Sequence, residues 1–275
     1  MERYMKQDQL DVYISDSRDA MGKKAAQDAA ACIHKLLETK DEINMIFAAA
    51  PSQNEVLHYL MSDPSIPWNR INAFHMDEYI GLPVDAPQGF ANFLRKAIFD
   101  QVPFKAVYTL NSEAEAADEI ARYTALLEKF PTDIVCMGIG ENGHIAFNDP
   151  HVAFFHDPVL VKTVDLDETC RMQQVHDGCF ASLDLVPKNA LTLTIPALTK
   201  AAYQFCVVPA ATKANAVKNT VEYKVYRGKG QRNCEQTKHQ ITVGHAGVKQ
   251  AQHRLRQHDK SCHTGEYKER IYKKG

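Results

Sequence analysis

Two acidic residues close an apolar run in Phe74-His75-Met76-Asp77-Glu78-Tyr79. A carboxylate at the end of a buried strand is partly stripped of water. Its proton affinity rises, which suits it to take a proton from a carbon next to a carbonyl. The plainer alternative is that Asp77 or Glu78 caps the loop that follows.

A second cluster is Gly138-Ile139-Gly140-Glu141-Asn142-Gly143-His144-Ile145-Ala146-Phe147-Asn148-Asp149-Pro150. Its three closely spaced glycines permit tight turns and close approach of backbone to a ligand. They bring His144 near Asn142 and Asp149. A histidine between an amide and a carboxylate has a reason to be held in one tautomer and to pass a proton. A buried histidine bonded for structure alone is the alternative. The Gly-x-Gly misses the dinucleotide fingerprint, because its third glycine is misplaced.

Two further segments offer anion contacts. Ala48-Ala49-Ala50-Pro51-Ser52-Gln53-Asn54 reads as a strand, a turn and a helix start carrying hydroxyl and amide groups. Such a start is either an anion site or a simple N-cap by Ser52. Lys213 follows Pro209-Ala210-Ala211-Thr212 at another helix start, placed either to reach a phosphate or to sit in solvent.

These segments need a scaffold, and the apolar pattern supplies one. Strands are expected at 11–15, 43–50, 71–76, 107–110, 133–137, 191–195 and 203–208. Helices are expected at 20–39, 52–61, 88–100, 112–130 and 212–221, the fourth opened by a Ser-Glu-Ala-Glu capping pattern at Ser112. Alternation of buried strands and helices predicts an α/β fold, Rossmann-like, with a mostly parallel sheet and helices on both faces. Ligands bind such sheets beyond the carboxyl ends of the strands. Ser52, Asp77 and His144 all stand there.

Residues 70–220 resemble the glucosamine-6-phosphate deaminase family, which is related to the 6-phosphogluconolactonases. The likeness rests on 75–83, on Gly140 through Pro150, on Val186-Pro187-Lys188-Asn189-Ala190-Leu191-Thr192, and on Thr212-Lys213-Ala214. The resemblance implies that Asp77 is the base moving a proton between C2 and C1, and that His144 opens the sugar ring. It implies that Asn142 and Asp149 support His144, and that Ser52, Gln53, Asn54, Arg171 and Lys213 face the phosphate. It implies an amino-sugar phosphate substrate, deaminated to a ketose phosphate, with no cofactor and no metal. Four departures stand out. The phosphate loop lacks the family's Gly and Thr, residue 142 is Asn where the family has an acid, Asp149 replaces Glu, and His176 replaces an Arg. A lactonase using His144 alone is the neighbouring reading. A non-catalytic sugar-phosphate-binding regulator is the reading from another class.

The remainder of the chain differs. Residues 223–275 hold 13 Lys and Arg against 4 Asp and Glu, although the whole chain carries a net charge of only −2. They contain six large aliphatic residues in 53 positions and lose periodicity. The expectation is therefore a domain over 1–222 and an atypical, basic, poorly ordered C-terminal tail over 223–275. Its unlikeness to the family's continuation points to a frameshifted or fused end. The tail's charge raises nucleic acid as a partner, but its lack of aromatic interleaving argues against one. Seven scattered cysteines without a C-x-x-C pair speak against a disulfide framework or a zinc site. No apolar run reaches membrane-span length, and the polar N-terminus lacks a signal-peptide core, so the expectation is cytoplasmic. A homo-oligomer is left open.

Overall fold

The computed structural model describes residues 3–7, 10–209, 211–223 and 238–244. The chain begins with β1 (Arg3–Gln7), β2 (Leu10–Ser15), α1 (Arg18–Leu37), β3 (Ile43–Phe47) and α2 (Asn54–Met61). It continues with β4 (Ile71–His75), β5 (Asp77–Tyr79), α3 (Phe90–Leu94), β6 (Ala106–Tyr108), α4 (Ala116–Lys129) and β7 (Ile134–Met137). Then come β8 (Val161–Asp165), α5 (Glu168–His176), β9 (Asn189–Leu193), α6 (Ile195–Thr199), β10 (Tyr203–Val208), α7 (Ala214–Tyr223) and β11 (Lys238–Gly244).

Eight strands form one sheet in the order β1-β2-β11-β10-β7-β3-β4-β6. Every neighbour pair in it is parallel except β1 with β2. The central strands are buried along their whole length, as the unbroken apolar runs Ile43–Phe47 and Tyr203–Val208 require. Apolar clusters cover both faces. One is built on α1 and α2 with Met21, Ile33 and Leu57. The other is built on α4 with Tyr123 and Leu127. The α/β expectation is met.

Helix α1 shows how local chemistry sets this packing. Ser17 accepts from the Ala20 N–H, a cap worth about 1 kcal/mol. Met21, Ala25, Ala29, Ile33 and Leu37 then recur every fourth residue and are all buried. Gly22 lets α1 approach α2. A Cβ there would lie 2.3 Å from Glu55 Cβ.

A smaller antiparallel sheet, β5-β9-β8, stands beside the main one. After β4 ends at His75, the chain leaves the main sheet and pairs Asp77 with Thr192 of β9. This change of sheet puts Asp77 beyond the carboxyl end of a central strand.

Several expected details differ. The helix expected over 112–130 begins at Ala116, because Glu115 rather than Ser112 caps it, accepting from Ala117 and Asp118 N–H. Ser52 is not a cap either. It lies in a 3-10 turn over Pro51–Gln53, and α2 starts without a side-chain cap. The helix expected over 88–100 is α3 running into a π-helical turn at Arg95–Phe99.

Strand β11 lies inside the segment expected to hold no element. It pairs in parallel with both β2 and β10. Its backbone is paired on both sides, by strands its own sequence does not announce. The expectation of poor order over 224–237 and 245–275 lies outside the described residues. Among the described residues, no helix is long and apolar enough to cross a membrane.

Candidate active site

A cavity of about 380 Å³ opens at the carboxyl ends of β3, β4, β7 and β10. That is a size suited to a small ligand. Ser52, Asp77, His144 and Lys213 line it together, with Arg18 at the start of α1.

Asp77 is 6% exposed. Burial, with the charge of Glu78 beside it, holds its carboxyl well above the ordinary carboxylate range. Its carboxylate makes no hydrogen bond among the described residues and faces the cavity. Glu78 is occupied. It accepts from the N–H groups of Tyr79, Phe90 and Ala91 at 2.8–3.0 Å, which secures the start of α3. The two acids left open by the sequence are thereby separated. Glu78 is the cap, and Asp77 is the carboxylate available to a ligand. Beneath them His75 accepts the Leu110 N–H on Nε2, and burial pushes its pKa down to about 3, so it stays neutral.

The His144 loop is folded by its own backbone. Gly140 N–H donates to the His144 carbonyl at 2.9 Å, and Gly143 N–H to the Gly140 carbonyl at 3.1 Å. Gly143 has φ 92°, a left-handed conformation that favours glycine. At Gly140 the demand is steric, since a Cβ would sit 2.1–2.4 Å from three atoms of the His144 ring. The ring therefore lies directly over this glycine.

His144 Nδ1 is 2.7 Å from Asn142 Oδ1 and 3.3 Å from Asp149 Oδ1. Asn142 Nδ2 donates to Asp149 Oδ1 and to Asp167 Oδ2, each at 2.9 Å. Burial alone would raise the fully buried Asp149. The hydrogen bond and charge of His144, with the Asn142 amide and the Asp167 N–H, hold it below the usual carboxylate range instead. Asn142, His144 and Asp149 are thus one hydrogen-bonded unit.

At the other side of the cavity, Lys213 is buried, and its Nζ has no hydrogen-bond partner among the described residues. Glu141 Oε1 lies 3.7 Å away. Burial lowers its pKa, against the opposing charges of Asp177 and Glu141. A buried ammonium with no hydrogen bond among the described residues and a single carboxylate at ion-pair distance has donors left for a phosphate to complete.

The sequence matches a known family. Its description reads "Glucosamine-6-phosphate isomerases/6-phosphogluconolactonase", and it spans residues 16–234 of this chain. A glucosamine-6-phosphate deaminase of Bacillus cereus is 32% identical over 203 residues, covering 72% of this chain and 76% of that protein. Another, from an Exiguobacterium species, is 29% identical over 72% of this chain and 78% of that protein. The chain belongs to the glucosamine-6-phosphate isomerase and 6-phosphogluconolactonase family.

Solved structures agree on the fold. A monomeric glucosamine-6-phosphate deaminase superimposes with a TM-score of 0.73 at 22% identity, over 86% of this chain and 98% of that one. A 6-phosphogluconolactonase from Thermotoga maritima gives 0.66 at 21% identity, over 85% and 98%.

Within this family frame, three expected phosphate ligands fall elsewhere. Arg171 does not line the cavity. Its guanidinium donates to the carbonyls of Leu183 and Val186, pinning the turn before β9. Gln53 is fully buried and donates to Ser52 Oγ and the Met137 carbonyl, so it ties the loop to β7. Asn54 is exposed on α2 and outside the cavity lining. Ser52 and Lys213 do line it.

Two residues had escaped the sequence reading. Arg18 lines the cavity, donating to the Pro51 carbonyl at 2.6 Å and pairing with Glu55. Asp167 joins the Asn142 network from the start of α5. The cap position of Asp167 before Glu168 was readable as a helix start, but nothing in the spacing tied it to Asn142.

Among the described residues, ligand atoms of His144, Asp149 and Cys170 lie within 4.8 Å of one another. As a metal set they are poor. His144 Nδ1 and both Asp149 oxygens are engaged in the loop network. Burial also pushes the Cys170 thiol far up, away from the thiolate a metal needs.

Proposed function

We propose that this protein converts glucosamine 6-phosphate and water to fructose 6-phosphate and ammonia. The observation that carries the reading is Asp77. It is a buried carboxylate of raised proton affinity with no hydrogen bond among the described residues, in the same cavity as His144 and Lys213. The family and its deaminase relatives support the same reading.

The roles are those the family resemblance implies, and the shared cavity supports them. His144 opens the sugar ring, taking the proton of the O1 hydroxyl and returning one to the ring oxygen. Asp77 then takes the proton from C2 and delivers it to C1, passing through an enolamine to an imine at C2. Water adds to that imine, and ammonia leaves. Lys213 holds the phosphate, with Ser52 and Arg18 beside it. These steps are proton transfers and hydrolysis, which the side chains supply.

Lactone hydrolysis would use His144 to activate water and would give Asp77 nothing to do. The decisive assay is ammonia release from glucosamine 6-phosphate, run beside hydrolysis of 6-phosphogluconolactone. Ammonia at a rate well above background supports the reading. Lactone hydrolysis without ammonia would overturn it. A charged phosphate ester does not cross membranes unaided, which supports a cytoplasmic place of action.

A further inference from the structure

Asn142 makes every hydrogen bond that a side-chain amide can make. Its Nδ2 donates to Asp149 Oδ1 and Asp167 Oδ2, and its Oδ1 meets His144 N–H at 3.0 Å and His144 Nδ1 at 2.7 Å. The orientation is dictated by its neighbours. Turned over, the amide oxygen would face two carboxylate oxygens, and the amide nitrogen would face the His144 backbone N–H. Acceptor would oppose acceptor on one side and donor would oppose donor on the other.

The fixed amide in turn dictates the histidine. An oxygen 2.7 Å from Nδ1 requires the hydrogen to sit on Nδ1. A neutral imidazole has only one N–H, so Nε2 keeps its lone pair.

Asp167 is the part of this arrangement that comes from outside the loop. It stands between β8 and α5, and its groups are divided between two tasks. Oδ1 accepts the Cys170 N–H at 2.6 Å and caps α5. Oδ2 accepts from Asn142. Its backbone N–H also donates to Asp149 Oδ2 at 3.0 Å, so it steadies the second carboxylate as well.

We infer that Asp167 is a positioning residue that sets the tautomer of His144: by accepting from Asn142 it holds the amide so that His144 keeps its hydrogen on Nδ1 and presents Nε2 to the cavity as a proton acceptor. Its kinetic consequence rests on the proposed role of His144 in ring opening. An Nε2 lone pair is what removes the O1 proton, and the other tautomer presents a donor at that point. Loss of the correct tautomer in a serine-protease triad costs about 10⁴-fold. The loss here is smaller, because Asp149 still accepts one Asn142 hydrogen.

The test is Asp167→Asn. Asparagine caps a helix about as well as aspartate does, so α5 keeps its start. Its amide, however, is free to place N–H groups against those of Asn142. The expected result is a fall in kcat of roughly tenfold or more, with KM changed by less than about twofold. The direct readout is long-range ¹H–¹⁵N correlation of ¹⁵N-histidine-labelled protein above the histidine titration. The His144 signal is assigned by its loss in His144→Gln. Wild type should show hydrogen on Nδ1, and Asp167→Asn a mixture of tautomers. Wild type with hydrogen on Nε2 would overturn the inference without any variant needing to fold. A variant with unchanged tautomer and turnover would reduce Asp167 to a helix cap. The spectrum needs no substrate, so failure of the deaminase reading is seen separately, as absent ammonia release from a protein whose His144 carries hydrogen on Nδ1.

Discussion

Asp77 and Glu78 are adjacent, both buried, and opposite in their surroundings. Three backbone N–H groups converge on Glu78, while the Asp77 carboxylate looks into the cavity with no hydrogen bond among the described residues. Three hydrogen bonds make Glu78 a poor proton shuttle and a good anchor. The same contrast leaves Asp77 as the carboxylate open to a ligand, as its proposed role as base requires.

Asp77→Asn is therefore expected to lower turnover by at least about 10²-fold in an ammonia-release assay. It should also stabilise the fold. A carboxyl whose pKa is raised on folding contributes fully below its unfolded value near 3.9, and that contribution is lost as pH rises through the folded value. At pH 7 the amide removes this cost, so the variant should melt higher than wild type. The gain should vanish as the pH is lowered below about 4. An inactive variant that melts lower at pH 7 would argue that Asp77 is structural.

Much of this site was legible beforehand. Strand-end carboxylates and a glycine-rich turn around one histidine are local patterns, so Asp77, Asn142, His144 and Asp149 were all in view. What was missed depends on contacts between distant segments. Arg18 reaches the cavity only because α1 packs on α2, and Asp167 meets Asn142 only because β8 returns beside the loop. Arg171 was placed at the phosphate by resemblance, and its actual carbonyl partners lie 12 and 15 residues away. Strand β5 was hidden because three residues show no periodicity, and β11 because its place depends on strands brought in from both ends of the chain.

Gly140→Ala should disable the site without disturbing the core. The added methyl would lie within 2.4 Å of the His144 ring, which must then swing away from Asn142. Turnover should fall by roughly 10²-fold, with thermal stability close to wild type. Full activity would show that the ring can shift and still work.

Lys213→Ala and Arg171→Ala separate binding from support. Lys213 is buried at the cavity without a hydrogen-bond partner among the described residues, so its loss should raise KM more than it lowers kcat. Arg171 donates to two carbonyls outside the cavity, so its loss should lower the melting temperature and leave KM within about twofold. Steady-state kinetics and thermal melts on both variants decide the matter. A large KM increase in Arg171→Ala with an unchanged melt would return that residue to the phosphate.

Strand β11 makes the last prediction. It fills the gap between β2 and β10, and its six residues from His239 to Gly244 pair with β2 while Lys238 to Val243 pair with β10. A chain ended at Tyr223 keeps every residue of the proposed site but opens the sheet between those two strands. Their facing N–H and C=O groups would lose their partners, and each buried polar group left unpaired costs about 1–3 kcal/mol. A typical domain is stable by only about 5–15 kcal/mol, so a few such losses are enough to unfold it. The truncated chain should therefore lose cooperative thermal unfolding, bind a hydrophobic dye and expose edges prone to pairing with other chains. A chain ended at Gly244 retains the strand and is the matched control. If the chain ended at Tyr223 melts cooperatively at the control's temperature, β11 contributes nothing to the sheet.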